Sequence, residues 1–169
     1  MDKRYTVAVL VRNQFGVLNR VTSMFRRRQF NIDNLTVSET ESPDYSRITV
    51  QFAGERVTKQ QLVDQLYKLP DVCSIRELDN ENAVSFELLL IKLKNDPASR
   101  GDIRAAADAF EAKTVDYTRD SIVLRVTADS RRIDDFIDLM RDYEILEICR
   151  TGVVSLERGA DTIRKVTNL

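Results

Sequence analysis

The 169-residue chain has no histidine, no tryptophan, two cysteines, three prolines and five glycines. Each shortage removes a class of chemistry. Histidine is the commonest general base and metal ligand, so serine–histidine and cysteine–histidine nucleophile systems are excluded. Cys73 and Cys149 form neither a disulfide framework nor a spaced metal motif; they read as small buried hydrophobes rather than a redox pair. No apolar run approaches the roughly 20 residues of a membrane span. The first residues lead into a strand-like segment without the apolar core of a signal peptide. An excess of one charge is missing too. With 26 basic and 27 acidic residues, no global field draws the chain toward nucleic acid or an anionic membrane. A reducing, cytoplasmic setting is expected, and a binding or regulatory module is favoured over an enzyme.

What is present is the composition of a globular protein, 43% hydrophobic and 31% charged, with enough apolar material to offset the chain entropy lost on folding. Residues 5–11 alternate as a strand, Val7, Val9 and Val11 on one face. After Asn13-Gln14-Phe15-Gly16, the apolar positions Val17, Leu18, Val21, Met24 and Phe25 trace the buried stripe of a helix. Arg26, Arg27 and Arg28 crowd its last turn, as a solvated end that complements the helix dipole or as an anion site. Residues 31–40 form a second strand, Pro43-Asp44 a turn, and residues 48–52 a third strand. Thr58 and Gln61 read as a capping box opening a helix with Leu62, Val63, Leu66 and Leu69, which stops before Pro70. Residues 72–78 make a fourth strand, and residues 79–82 a polar joint.

The pattern then recurs. Residues 84–93 are a strand, and Ile103, Ala106, Ala107 and Phe110 fall at helical spacing. Residues 115–117 and 122–126 are strands around a turn. Ile133, Phe136, Ile137 and Met140 mark a helix capped by Asp129 or Ser130, and residues 145–148 close the unit. The expected fold is α+β: two ferredoxin-like βαββαβ domains, residues 1–79 and 83–156, each an antiparallel sheet with its helices on one face. Residues 157–169 lose the periodicity and read as a loosely held tail.

The loop between the first strand and first helix is where chemistry would sit. Gly16 lets the backbone bend and a ligand approach closely, and the helix N-terminus beyond it presents unpaired N–H groups and positive dipole charge. Asn13 supplies a donor and an acceptor, enough to read the head group of an α-amino acid. A glycine in such a turn also has a purely structural reading.

Five motifs in register tip the balance. Asn13-x-x-Gly16-Val17-Leu18-x-Arg20-Val21 and Phe30-Asn31-Ile32-Asp33-x-Leu35-Thr36-Val37 resemble the amino-terminal signature of acetolactate synthase small subunits. Asp44-x-Ser46-Arg47-Ile48-Thr49-Val50, Gln65-Leu66-x-Lys68-Leu69-x-Asp71-Val72 and Arg150-x-Gly152-Val153-Val154-x-Leu156-x-Arg158-Gly159 are similar to that family as well. The resemblance implies that the first half is an ACT domain and that the effector is valine, sometimes with leucine or isoleucine. It implies a site between two ACT domains of a homodimer: Asn13, Gln14, Phe15, Gly16, Val17 and Leu18 from one chain, Asn31 and Ile32 from the other. It further implies no cofactor and no metal on this chain. A separate catalytic subunit would carry thiamine diphosphate, magnesium and FAD, and this chain would activate it and confer feedback inhibition in branched-chain amino acid biosynthesis. Two departures stand out: relatives tend to have Glu in place of Arg12 and Gly in place of Gln29. A left-handed backbone at Gln29 would cost about 1 kcal/mol. The second half has Asn95-Asp96-Pro97-Ala98-Ser99 where the first has its Asn-x-x-Gly loop, so no second pocket of that kind is expected.

Other readings are weaker. An RNA-recognition unit stacks bases on strand aromatics, but the third strand, Arg47-Ile48-Thr49-Val50-Gln51-Phe52, lacks the Gly-aromatic-aromatic pattern. Asp134, Asp135, Asp138 and Asp142 share a helix, where they read as a solvated acidic face rather than acid–base machinery. A stand-alone ACT sensor serving a different enzyme remains the alternative.

Overall fold

The computed structural model describes residues 3–79 and 81–164. Chain contacts divide the molecule into two units, Met1–Ser85 together with Val153–Leu169, and Phe86–Gly152. The fold is α+β, with two antiparallel sheets and four helices among the described residues.

In the first unit β1 (Lys3–Arg12), α1 (Val17–Arg27), β2 (Ile32–Glu39), β3 (Tyr45–Gly54), α2 (Arg56–Leu66) and β4 (Val72–Leu78) follow in order, and the sheet runs β2-β3-β1-β4. Odd positions of β1 explain the packing. Val7, Val9 and Val11 join Ile48, Val50 and Phe52 beneath Val21, Met24 and Phe25 of α1 and Leu62 and Leu66 of α2. Each such side chain, fully buried, contributes about 1.5–3 kcal/mol.

The second unit repeats the scheme. It contains most of β5 (Ala83–Lys94), then α3 (Arg100–Ala109), β6 (Lys113–Tyr117), β7 (Ser121–Ala128), α4 (Ser130–Met140) and β8 (Ile145–Arg150), ordered β6-β7-β5-β8. Its core joins Leu89, Ile91 and Leu93 to Ile122, Leu124 and Val126, under Ile103 and Ala107 of α3 and Ile133, Phe136 and Met140 of α4. Asp129 is the cap of α4: its Oδ1 accepts the Arg132 N–H at 2.9 Å. No helix of the described residues is long and apolar enough to cross a membrane.

Three expectations need correcting. The Thr58–Gln61 capping box does not form, because α2 starts at Arg56 with Glu55 as its N-cap and Thr58 lies inside the helix. A Cβ on Gly54 would stand 3.3 Å from the Thr58 Cβ, so the threonine packs on the strand end instead of capping. Cys149 is exposed on β8, an outer strand of its sheet, and Cys73 is only half-buried.

The carboxy-terminal segment also departs from expectation: residues 153–156, expected in the second domain, belong with the expected tail to the first unit. Val154–Glu157 forms a further strand, β9, which pairs with β5. Ile163 is buried with Ala8, Leu10, Leu78 and Ala83. Arg47 donates to the Ser155 carbonyl at 2.7 Å, Arg76 pairs with Glu157 at 3.4 Å and Arg164 with Glu41 at 3.0 Å. The cause lies in β1, whose even positions Ala8 and Leu10 are as apolar as its odd ones. A strand apolar on both faces needs cover on both. Residues 165–169 of the expected tail lie outside the described residues.

An open loop at the start of the first helix

Asn13 pins the loop between β1 and α1 to the β2–β3 turn. Its N–H donates to the Asp44 carbonyl at 2.7 Å and its Nδ2 to the Pro43 carbonyl at 2.9 Å. Gln14 N–H closes a tight bend on the Arg12 carbonyl at 2.9 Å. Gly16, the N-cap of α1, then adopts a left-handed conformation with φ 82°, which costs a side-chain-bearing residue about 1–2 kcal/mol. The helix start is held from below: Arg20 Nε meets Asp71 Oδ2 at 2.7 Å, and Arg12 N–H donates to the Asp71 carbonyl at 2.9 Å. Nothing in the local sequence pattern announced this clamp, whose partners lie 51 residues apart.

This leaves a set of open polar groups. Among the described residues no acceptor meets the N–H groups of Gly16, Leu18 or Asn19, and no donor meets the Oδ1 of Asn13. Such N–H groups, at the positive end of a helix dipole, suit a carboxylate. A free amide oxygen beside them suits an ammonium group. Phe15 is 103% exposed and Leu18 44%, so apolar surface flanks the polar groups. Val17 differs: its side chain is buried in the core, so it anchors the helix rather than lining the loop.

Asn31 and Ile32 do not join these residues within one chain. Ile32 pairs with Phe52, which pairs with Tyr5, whereas the loop follows the far end of β1, where Arg12 pairs with Tyr45. Eight residues of extended chain from Tyr5 to Asn13 span about 26 Å. Asn31 is exposed and Ile32 half-buried against the core. Both stand at the start of β2, the outermost strand of the sheet.

The perturbed charges lie elsewhere. Burial lowers the pKa of Arg47 below its ordinary value, against the opposing pull of Glu157 and Glu41. For Arg150 burial also opposes the charge, but hydrogen bonds to Glu87 and Asp134 outweigh it and the pKa rises. No group of three or more Cys, Asp or Glu side chains among the described residues is placed to hold a metal ion.

The βαββαβ order and the β2-β3-β1-β4 sheet define a ferredoxin-like module. Comparison with known proteins names the kind. Residues 7–74 match the family profile described as an AHAS small subunit-like ACT domain, and residues 86–159 match the small subunit of acetolactate synthase. The probable acetolactate synthase small subunit of Archaeoglobus fulgidus is 44% identical over 92% of this chain and 98% of its own. The acetolactate synthase small subunit of Bacillus subtilis is 41% identical over 90% of each. The crystal structure of the acetolactate synthase small subunit from Thermotoga maritima superposes with a TM-score of 0.86 at 33% identity, covering 94% of this chain and 99% of that one. The chain belongs to the acetolactate synthase small-subunit family, and its role is regulatory.

Proposed function

We propose that this chain activates the catalytic subunit of acetolactate synthase and makes it sensitive to valine, through a site built from two copies. The carboxylate of the amino acid is received by the N–H groups of Gly16 and Leu18, and its ammonium group by the Asn13 Oδ1. The observation that carries this reading is the juxtaposition of open donors with one open acceptor in a single loop. The aliphatic side chain lies against Leu18 and Phe15 of one copy and the start of β2, Asn31 and Ile32, of the second. Pairing through β2 supports that assembly, because an outer strand presents unpaired backbone groups that a two-fold axis can satisfy.

On this reading the catalytic chain carries thiamine diphosphate, magnesium and FAD, and joins two pyruvates to acetolactate. Valine inhibits by favouring one arrangement of the paired ACT domains over another, since a ligand shifts an equilibrium only through its differential affinity for the two states. Calorimetric titration of the full chain with valine, leucine and isoleucine tests it. The expected result is saturable binding of valine that Asn13→Leu weakens at least tenfold. Undiminished valine binding by Asn13→Leu would remove the loop from the site.

A further inference from the structure

Gly16 leaves one side of the helix start bare, and a charged side chain lies across it. In a helix each Cα–Cβ bond tilts toward the N-terminus, so residue 20 leans back over residue 16. A side chain at Gly16 would begin 3.4 Å from Arg20 Nη1. The Gly16 N–H, which meets no acceptor among the described residues, is two bonds from that same point. A carboxylate placed there can take the N–H with one oxygen and the guanidinium with the other.

Asp71 decides what the guanidinium has left to give. It is buried just ahead of β4, and its Oδ2 accepts Arg20 Nε at 2.7 Å. Among the described residues neither Nη1 nor Nη2 of Arg20 meets an acceptor. An arginine fork carries five N–H donors, one on Nε and four on the two Nη atoms. One goes to Asp71, and four remain on a group whose orientation a buried carboxylate fixes. Such a guanidinium binds a second carboxylate through directed, charge-assisted hydrogen bonds, without the cost of ordering a free side chain. Two other charged residues adjoin the loop, Arg12 at the end of β1 and Asp44 in the turn that holds Asn13, and both are exposed. Neither comes within 4 Å of a Cβ at Gly16.

We infer, resting on the effector site proposed above, that Arg20 is a further effector-binding residue. Its Nη groups join the Gly16 and Leu18 N–H groups on the effector carboxylate, and Asp71 is the positioning residue that aims them. The site then selects a free α-carboxylate. An amide or alcohol derivative of the same amino acid keeps the ammonium group for Asn13 but offers the guanidinium no anion. Head-group charge is read by the helix start and Arg20, and the side chain by the apolar surface of Leu18 and Phe15.

Calorimetric titration of the full-length chain with L-valine and L-valinamide tests this. The wild-type chain should bind valine roughly tenfold or more tightly than valinamide, the worth of a hydrogen bond to a charged group. In Arg20→Met that preference should fall below about threefold, with valinamide affinity little changed. Asp71→Ala keeps the guanidinium and makes the loop more positive, yet should lower the preference as well; a rise would mean that charge acts without positioning and would overturn the role of Asp71. Arg12→Met should leave the preference intact. An Arg20 that only supports the loop would weaken both ligands alike and preserve their ratio. Should Arg20→Met fail to fold, Arg20→Gln keeps a donor for Asp71 without the charge and reads the same ratio. An unchanged ratio in the Arg20 variant, a wild-type chain that does not distinguish the two ligands, or collapse of the ratio in Arg12→Met overturns the inference. If the ratio survives in Arg20→Met while Asn13→Leu still weakens valine binding, the loop site stands without Arg20. Undiminished valine binding by Asn13→Leu removes the loop and Arg20 with it.

Discussion

Asn13 and Asn95 occupy the same place in their units and are pinned in the same way. Each donates its N–H to the neighbouring strand turn, Asn13 to Asp44 at 2.7 Å and Asn95 to Asp120 at 3.0 Å. Each also donates from Nδ2, to Pro43 at 2.9 Å and to Thr118 at 2.6 Å. They part at the amide oxygen. Asn95 Oδ1 accepts Arg100 Nε at 2.8 Å, and the residue is buried. In the first unit Arg20, one helical turn into α1, goes to Asp71 instead, at 2.7 Å. One unit therefore uses its asparagine as a closed structural bolt and the other leaves half of it open. The two loops differ in which acceptor an arginine finds, not in the fold that carries them.

The two units can be set against each other most forcefully through their ion pairs. Glu87, 3% exposed, receives Arg150 through Nη2 at 2.6 Å and Nε at 3.0 Å and also accepts from Ser130. Arg150→Met strands a buried carboxylate, which ordinarily costs about 3 kcal/mol or more. The Arg20–Asp71 pair is wetter, its side chains 45% and 12% exposed, and Arg20→Met should cost less, about 1–2 kcal/mol. Urea unfolding of both variants measures the contrast, and equal losses would refute the claim that burial separates the two pairs.

The next effect concerns the covered face of the first sheet. Ile163→Ala should cost about 2 kcal/mol, at the low end for a large apolar residue cut to Ala in a packed site. The same change should speed proteolysis of the segment after β9. A loss below about 0.5 kcal/mol would mean that Ile163 shields Ala8 and Leu10 without stabilising them.

At the loop itself, Gly16→Asp adds strain of about 1–2 kcal/mol from its positive φ and sets a carboxylate where the effector's carboxylate is to bind. Valine affinity should fall more than tenfold by calorimetry, while activation of the catalytic subunit survives. Ser99, the N-cap of α3, has φ −103°, so Ser99→Gly should leave valine binding unchanged. Retained valine affinity in Gly16→Asp would sink the loop assignment.

Much of this was legible in the residues, for identifiable reasons. Strict alternation in β3 and β7 and the apolar stripes of α1, α3 and α4 located those elements, because each turns one apolar face inward. The carboxy-terminal segment was misread because its partners, Ala8 and Leu10, look like ordinary alternation until both faces of β1 prove buried. The Val153-Val154-x-Leu156 run carried the only cue to β9. Gly16 announced the loop, whereas the clamp of Arg20 on Asp71 joins residues that no local pattern connects. Asn31 and Ile32 were named through resemblance alone, and the fold sets them about 26 Å from the loop within one chain.

The smallest effect tests how deep the repetition goes. Both first helices end in the same left-handed motif on a residue that is not glycine: Gln29 and Glu111 each have φ 56°. Phe30 N–H reaches back to the Phe25 carbonyl and Gln29 N–H to Arg26; Ala112 N–H reaches to Ala107 and Glu111 N–H to Asp108. These are the paired bonds of a Schellman ending, whose left-handed position favours glycine. Gln29→Gly and Glu111→Gly should each stabilise their unit by up to about 1 kcal/mol, the relief of strain less the entropy glycine adds to the unfolded chain. Urea midpoints of the two variants should rise together. A rise for Glu111→Gly alone would show that the Gln29 side chain holds something the arginine-rich end of α1 needs, and would place a functional difference where the backbone shows none.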